Sequence, residues 1–132
     1  MHIGRREFLA GAAAFAVAGP SSLPSRRSAA GMYGLIGKMT AKPGERDALI
    51  AILLEGVSGM PGCLSYVVAT DPADADAIWI TEVWVDQASH QASLAMPSVR
   101  AAIAKGRPLI AAFAPGTVTA PVGGHGLATA GR

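Results

Sequence analysis

At 132 residues the chain has room for one domain, and its apolar surplus, 51% of all residues, must lie in a packed core or a membrane segment. The formal charge of +2 is unevenly spread: residues 33–119 carry six Lys and Arg against eight Asp and Glu, so no basic face is on offer to neutralise phosphates and nucleic-acid binding is disfavoured. A single cysteine, Cys63, cannot close an internal disulfide, so stability must come from another source, such as dimerisation.

The chain opens Met1-His2-Ile3-Gly4-Arg5-Arg6-Glu7-Phe8-Leu9 and continues as an Ala/Gly/Val/Phe run to Ala18. A basic start, a short apolar stretch and the small-x-small site Ala16-Val17-Ala18 form a secretory signal. Arg5-Arg6 followed by Phe8-Leu9 is its twin-arginine variant. Phe8 to Ala18 falls well short of the ~20 apolar residues that span a bilayer. Export is therefore expected over a stable membrane anchor, with residues 1–18 as the signal peptide and a periplasmic or extracellular mature protein. Residues 19–31, rich in Pro and Ser, read as a flexible linker.

Order is predicted from Tyr33, with the domain over residues 32–120. Tyr33 to Thr40 alternates as a strand, Tyr33, Leu35, Gly37 and Met39 on one face and Gly34, Ile36, Lys38 and Thr40 on the other. Lys42-Pro43-Gly44 turns the chain. From Glu45 to Ser58, Leu49, Ile50, Leu53, Leu54 and Val57 recur at helical spacing, and Gly59 with Pro61-Gly62 closes the helix. Cys63 to Thr70 and Ile78 to Val85 form a hairpin around an acidic turn. Asp86 caps a short helix to about Leu94, and Pro97 opens another through Lys105. Leu109 to Thr119 supplies the last strand, and residues 121–132 form a glycine-rich tail.

The order is β-α-β-β-α-β, an α+β ferredoxin-like arrangement with an antiparallel sheet. Helices cover one face of such a sheet. The other face, carrying apolar residues, is most cheaply covered by a second copy, so a twofold homodimer is expected.

On the third strand Ile78, Ile80, Glu82 and Trp84 share a face, and Trp79, Thr81, Val83 and Val85 share the other. Valines suit packing against helices, which directs Glu82 and Trp84 to the open side, with Lys38 beside them. A carboxylate and an ammonium next to an indole can bind and deprotonate a small acidic aromatic. An interface or rim ion pair without catalytic consequence fits the same residues. His90, on the Asp86 helix, has the side chain best suited to proton transfer near neutral pH, or is a surface residue. Tyr66 can present its hydroxyl from the second strand or anchor it at the core edge. His125 either lies over a pocket or is mobile or packed in an interface. Tyr33 reads as packing. No phosphate loop, dinucleotide fingerprint, metal-ligand set or Ser-His-Asp pattern stands out.

The run Gly34-Leu35-Ile36-Gly37-Lys38-Met39-Thr40-Ala41, then Pro43-Gly44, Met60-Pro61-Gly62-Cys63 and Glu82-Val83-Trp84, resembles the antibiotic biosynthesis monooxygenase family. The likeness continues through Ser93-Leu94 and Pro97 to Arg107-Pro108-Leu109-Ile110, and the Pro-Val-Gly-Gly-His-Gly stretch at 121–126 is similar to a quinol monooxygenase branch. The resemblance implies a dimeric α+β barrel that binds a small aromatic in each subunit and oxidises a quinol or phenol with O2, using neither metal nor other cofactor. It matches Trp84 among the pocket residues. It also marks Ser93 and Ser98 as positions where relatives often carry histidine, which leaves His90 or His125 to take that role and counts against haem degradation. Glu82 and His90 are thus the candidate bases, with Trp84, Lys38, Tyr66 and His125 as candidate substrate contacts. A non-catalytic exported binding or stress-response dimer, and a cofactor-free isomerase or decarboxylase, are the alternatives on the same scaffold.

Overall fold

The computed structural model describes residues 31–127. The expected signal peptide, nearly all of the linker and the last five residues of the tail lie outside the described residues. No described helix is long and apolar enough to cross a membrane.

Strand β1 (Tyr33–Ala41) alternates as predicted, Leu35, Met39 and Ala41 being buried. Gly44, with a φ of 79°, turns the chain into helix α1 (Arg46–Gly56). Its buried residues Leu49, Leu53 and Gly56 fall at i, i+4 and i+7, one stripe against the sheet and the helix at residues 97–106. β2 (Cys63–Thr70) and β3 (Ala77–Trp84) pair antiparallel, with a register shift between Cys63 and Ser65. The acidic turn between them is built from side-chain caps: Asp71 Oδ1 accepts from Ala73 N at 2.8 Å and Asp74 Oδ1 from Asp76 N at 2.9 Å. Arg46 ties this turn to α1, its Nη1 donating to Asp74 O at 2.9 Å.

Asp86 caps helix α2 (Gln87–Ser93) as expected, its Oδ1 accepting from Ser89 N at 2.8 Å. Helix α3 (Pro97–Gly106) begins with Pro97 at its first turn, where the missing N–H costs nothing. A Cβ built on Gly56 would stand 2.5 Å from Ala102 Cβ, so α1 and α3 approach closely because position 56 has no side chain.

The last predicted strand is divided. Residues 107–109 form a 3-10 turn, followed by β4 (Ile110–Phe113) and β5 (Thr117–Thr119). Both pair with β1, β4 near its end and β5 near its start. The interruption carries Pro115, which has no N–H to give a ladder.

The sheet order is β2-β3-β1-β4, every pairing antiparallel, which is the ferredoxin-like topology. The core falls into two clusters. One gathers Met39, Ala41, Leu49, Leu53, Ile78 and Ile80; the other gathers Tyr33, Leu35, Met60 and Trp84. Tyr66 packs against both.

Candidate functional site

β3 settles the orientation of the chemistry-bearing residues. Ile78, Ile80, Glu82 and Trp84 are buried, whereas Trp79 and Thr81 are exposed. The face carrying Glu82 and Trp84 is therefore the helix-covered one, opposite to the sequence expectation. Ile78 and Ile80 enter the core with Trp84, whereas Trp79 of the other face stays 38% exposed and gives its indole N–H to Asp71 at the rim. The open face keeps Ile36, Val67 and Trp79 exposed.

A cavity of about 100 Å³ lies between this face and the three helices, at the seam of the two core clusters. Met39, Leu53 and Ile80 come to its wall from one cluster, Met60 and Trp84 from the other. Val99 and Ile103 of α3 close the helical side, and the polar lining comes from Tyr66, Glu82, His90 and Ser93.

Glu82 is the centre of this site. Its Oε1 accepts from Trp84 Nε1 at 2.9 Å, two residues along the same strand face. Burial pushes the Glu82 carboxyl up to about 7, against the opposing pull of that hydrogen bond. Tyr66 is its cross-strand partner. Burial, then the Glu82 charge, lifts the Tyr66 hydroxyl well above its ordinary value and the Tyr33 hydroxyl to about 12, and raises the Cys63 thiol.

His90 is buried, 3% exposed, and not a surface residue. Its Nε2 lies 3.9 Å from Glu82 Oε1, beyond hydrogen-bond reach but adjacent. Its ring meets Trp84 edge-on at 5.4 Å and Tyr33 at 5.6 Å. Desolvation pulls the imidazole down to about 4, so it is neutral at physiological pH. Its Nδ1 is buried without a hydrogen-bond partner. One turn on, Ser93 Oγ donates to the His90 carbonyl at 2.7 Å. The chain thus places an imidazole in the cavity from position 90, beside a serine at 93.

Two sequence candidates stand elsewhere. Lys38 borders the cavity, but its Nζ is 3.6 Å from Asp71 Oδ2 and 5.2 Å from the centre of the Trp79 ring, on the open face. Asp71 also accepts from Trp79 Nε1 at 2.9 Å, and its carboxyl is held low by the Ala73 N–H first, then by Trp79 and Lys38. The alternation of β1 separates Lys38 from Glu82, since Leu35, Gly37 and Met39 occupy the helix side. His125 is exposed in the tail and is not on the cavity wall. The sequence marks Ser93 only as a position where relatives often carry histidine, and it gives Met60 no place on the cavity wall. His90 and Ser93, spaced i, i+3, were the available signal that one helical face turns inward.

The model of the antibiotic biosynthesis monooxygenase family matches residues 32–105, more than half of the chain. The chain belongs to that family. A structure of a family protein from Chloroflexus aurantiacus J-10-fl is 72% identical to this chain and covers 73% of it and 98% of its own length, with a TM-score of 0.71. Two further structures share the fold alone. One is from Shewanella oneidensis, with 19% identity, coverage of 69% and 91%, and a TM-score of 0.62. The other, from Caulobacter crescentus CB15, has 17% identity, coverage of 69% and 88%, and a TM-score of 0.60. No curated protein matches the chain. The family membership confirms the ferredoxin-like fold read from the order of elements, and the family's shared scaffold accommodates the cavity without naming what it binds.

Proposed function

We propose that the cavity is the active site of a monooxygenase that oxidises a small quinol or phenol with O2 and draws on no metal or organic cofactor. The observation that carries this reading is Glu82: a buried carboxyl raised to about 7, with a neutral imidazole 3.9 Å away, inside a mostly apolar cavity. Magnitudes choose the base. A phenol of ordinary pKa, about 10, gives its proton to Glu82 uphill by about 4 kcal/mol, and to His90, at about 4, uphill by about 8 kcal/mol. Glu82 is the base, and neutral His90 donates a hydrogen bond to the oxygen that loses the proton.

The phenolate, held away from water, is electron-rich enough to pass an electron to O2. For a hydroquinone the overall change balances without another reductant. One oxygen atom enters a ring C–H position, the other leaves as water, and all four electrons come from the substrate, which ends as a hydroxyquinone. On the same reading the protein works as a homodimer, its open face with Ile36, Val67 and Trp79 covered by a second copy, a proposal supported by the apolar exposure of that face. The Arg5-Arg6 leader is proposed to carry it out of the cytoplasm through the twin-arginine route.

Oxygen uptake by the metal-stripped mature chain, measured across a panel of hydroquinones, tests the reading. Substrate-dependent uptake above autoxidation, lost on boiling, is expected. Silence across the panel from a folded protein would leave the non-catalytic binding dimer as the better account.

A further inference from the structure

The cavity is polar at one end only. Glu82 and Tyr66 are cross-strand neighbours and His90 Nε2 is 3.9 Å from Glu82, while Met39, Leu53, Ile80, Val99 and Ile103 make the remainder hydrocarbon. Lys38 is the sole cationic residue on the wall among the described residues, and its ammonium is held on the far face of the sheet by Asp71 and Trp79. Every other group able to carry charge at the polar end is an acid or a neutral imidazole. His90 Nδ1 is buried and takes no hydrogen bond from a protein group among the described residues, so it is open to a polar group of a ligand.

Resting on the reading of the site given above, we infer that the ligand is a single uncharged aromatic ring that enters hydroxyl-first, and that the site rejects ring carboxylates. Size selects one ring. The enclosed part of the cavity, about 100 Å³, is of the order of the ~150 Å³ apolar void that admits benzene, so it takes one ring in full. Polarity sets the direction: the hydroxyl goes to Glu82, Tyr66 and His90, and the ring lies against Met39, Leu53 and Ile80. Charge sets the exclusion. A carboxylate taken into this wall loses its hydration, finds no cation, and at the polar end meets another acid.

Two nearly isosteric probes separate these terms: 4-hydroxybenzamide, neutral, and 4-hydroxybenzoate, anionic. Calorimetric titration of the mature chain at pH 7.5 under nitrogen reads binding without turnover. The amide is expected to bind, and the carboxylate to bind at least about 100-fold more weakly, as an unpaired buried charge requires. Ser93→Leu and Val99→Phe, each putting bulk into the cavity, should abolish amide binding in protein whose circular dichroism is unchanged. Equal or tighter binding of the carboxylate, no binding of the amide, or amide binding that survives both variants overturns the inference. Amide binding by an enzyme that consumes no oxygen with any phenol leaves the inference standing and removes the monooxygenase reading. Rapid oxygen uptake with a carboxylated ring does the reverse.

Discussion

Trp84 and Glu82 lie two residues apart on one face of β3, and the indole N–H of the first donates to the carboxyl Oε1 of the second at 2.9 Å. The indole therefore does two things at once: it walls the cavity and steadies the carboxylate form of the proposed base. Removing the donor while keeping an aromatic ring separates the two. Trp84→Phe should move the Glu82 titration upward, and the rising limb of kcat/KM against pH should move with it. A pH profile that falls in height but keeps its midpoint would mean that Trp84 acts through shape alone.

Glu82→Gln keeps the volume and leaves an amide oxygen to accept from Trp84. Loss of a general base costs typically 10²–10⁴-fold. Oxygen uptake should fall by about that much, with the melting temperature at pH 8 unchanged or higher, because a buried charge has been removed. Uptake within about threefold of the parent would take Glu82 out of the mechanism.

The stability of the protein should carry opposed pH signatures from Glu82 and His90. Glu82 titrates at about 7 when folded against 4.5 as a free group, so the native state holds the extra proton between those values and stability falls as pH rises through that window. His90 titrates at about 4 against 6.5, so the unfolded state holds the extra proton and stability rises with pH from about 4 to 6.5. Each effect is about 3 kcal/mol by linkage, and between pH 4.5 and 6.5 the two nearly cancel. Urea denaturation across pH should be nearly flat there for the parent chain, slope downward in His90→Asn and slope upward in Glu82→Gln. Parallel curves for all three would show that neither group is perturbed by folding.

Lys38→Met tests the placement of the ammonium. Lys38 and Asp71 meet on the open face at the rim of the sheet, and such pairs contribute about 0–1 kcal/mol. Oxygen uptake and its pH profile should stay within about twofold of the parent. A large loss of kcat with an unchanged melting temperature would return Lys38 to the site.

Gly56→Ala should destabilise, although a Gly→Ala change inside a helix usually stabilises. The added methyl meets Ala102 at 2.5 Å, so α1 and α3 must move apart, and overpacking of this sort costs about 1–3 kcal/mol. Thermal melting reads this directly, and Gly44→Ala, which meets no atom but sits at a φ of 79°, separates backbone strain from crowding.

The fold was legible because each element carried its own period and punctuation. Alternation marked β1, the i, i+4 spacing marked α1, and Asp86 and Pro97 announced their helices. The division of the last strand was not legible as such: Pro115 signals a break, but that both pieces pair with β1 depends on a partner distant in sequence. The site was half legible. Glu82, Trp84 and Tyr66 were named from residue type and strand parity, but the face was inverted, because alternation says which residues share a side and not which side the helices take. The burial of His90 is set by tertiary packing alone, and Lys38 lies across from Trp79, on the opposite face from Glu82, which strand parity within β1 does not decide.

The seam between the two clusters has a thermodynamic consequence. Met39, Leu53, Ile80, Val99 and Ile103 turn apolar surface to the cavity and lack packing partners on that side. The ligand is in that sense the missing piece of the interior, and occupancy should return the deficit as a higher melting temperature. A sequence that closed the seam with its own side chains would be the sturdier molecule, with no vacancy left for a guest.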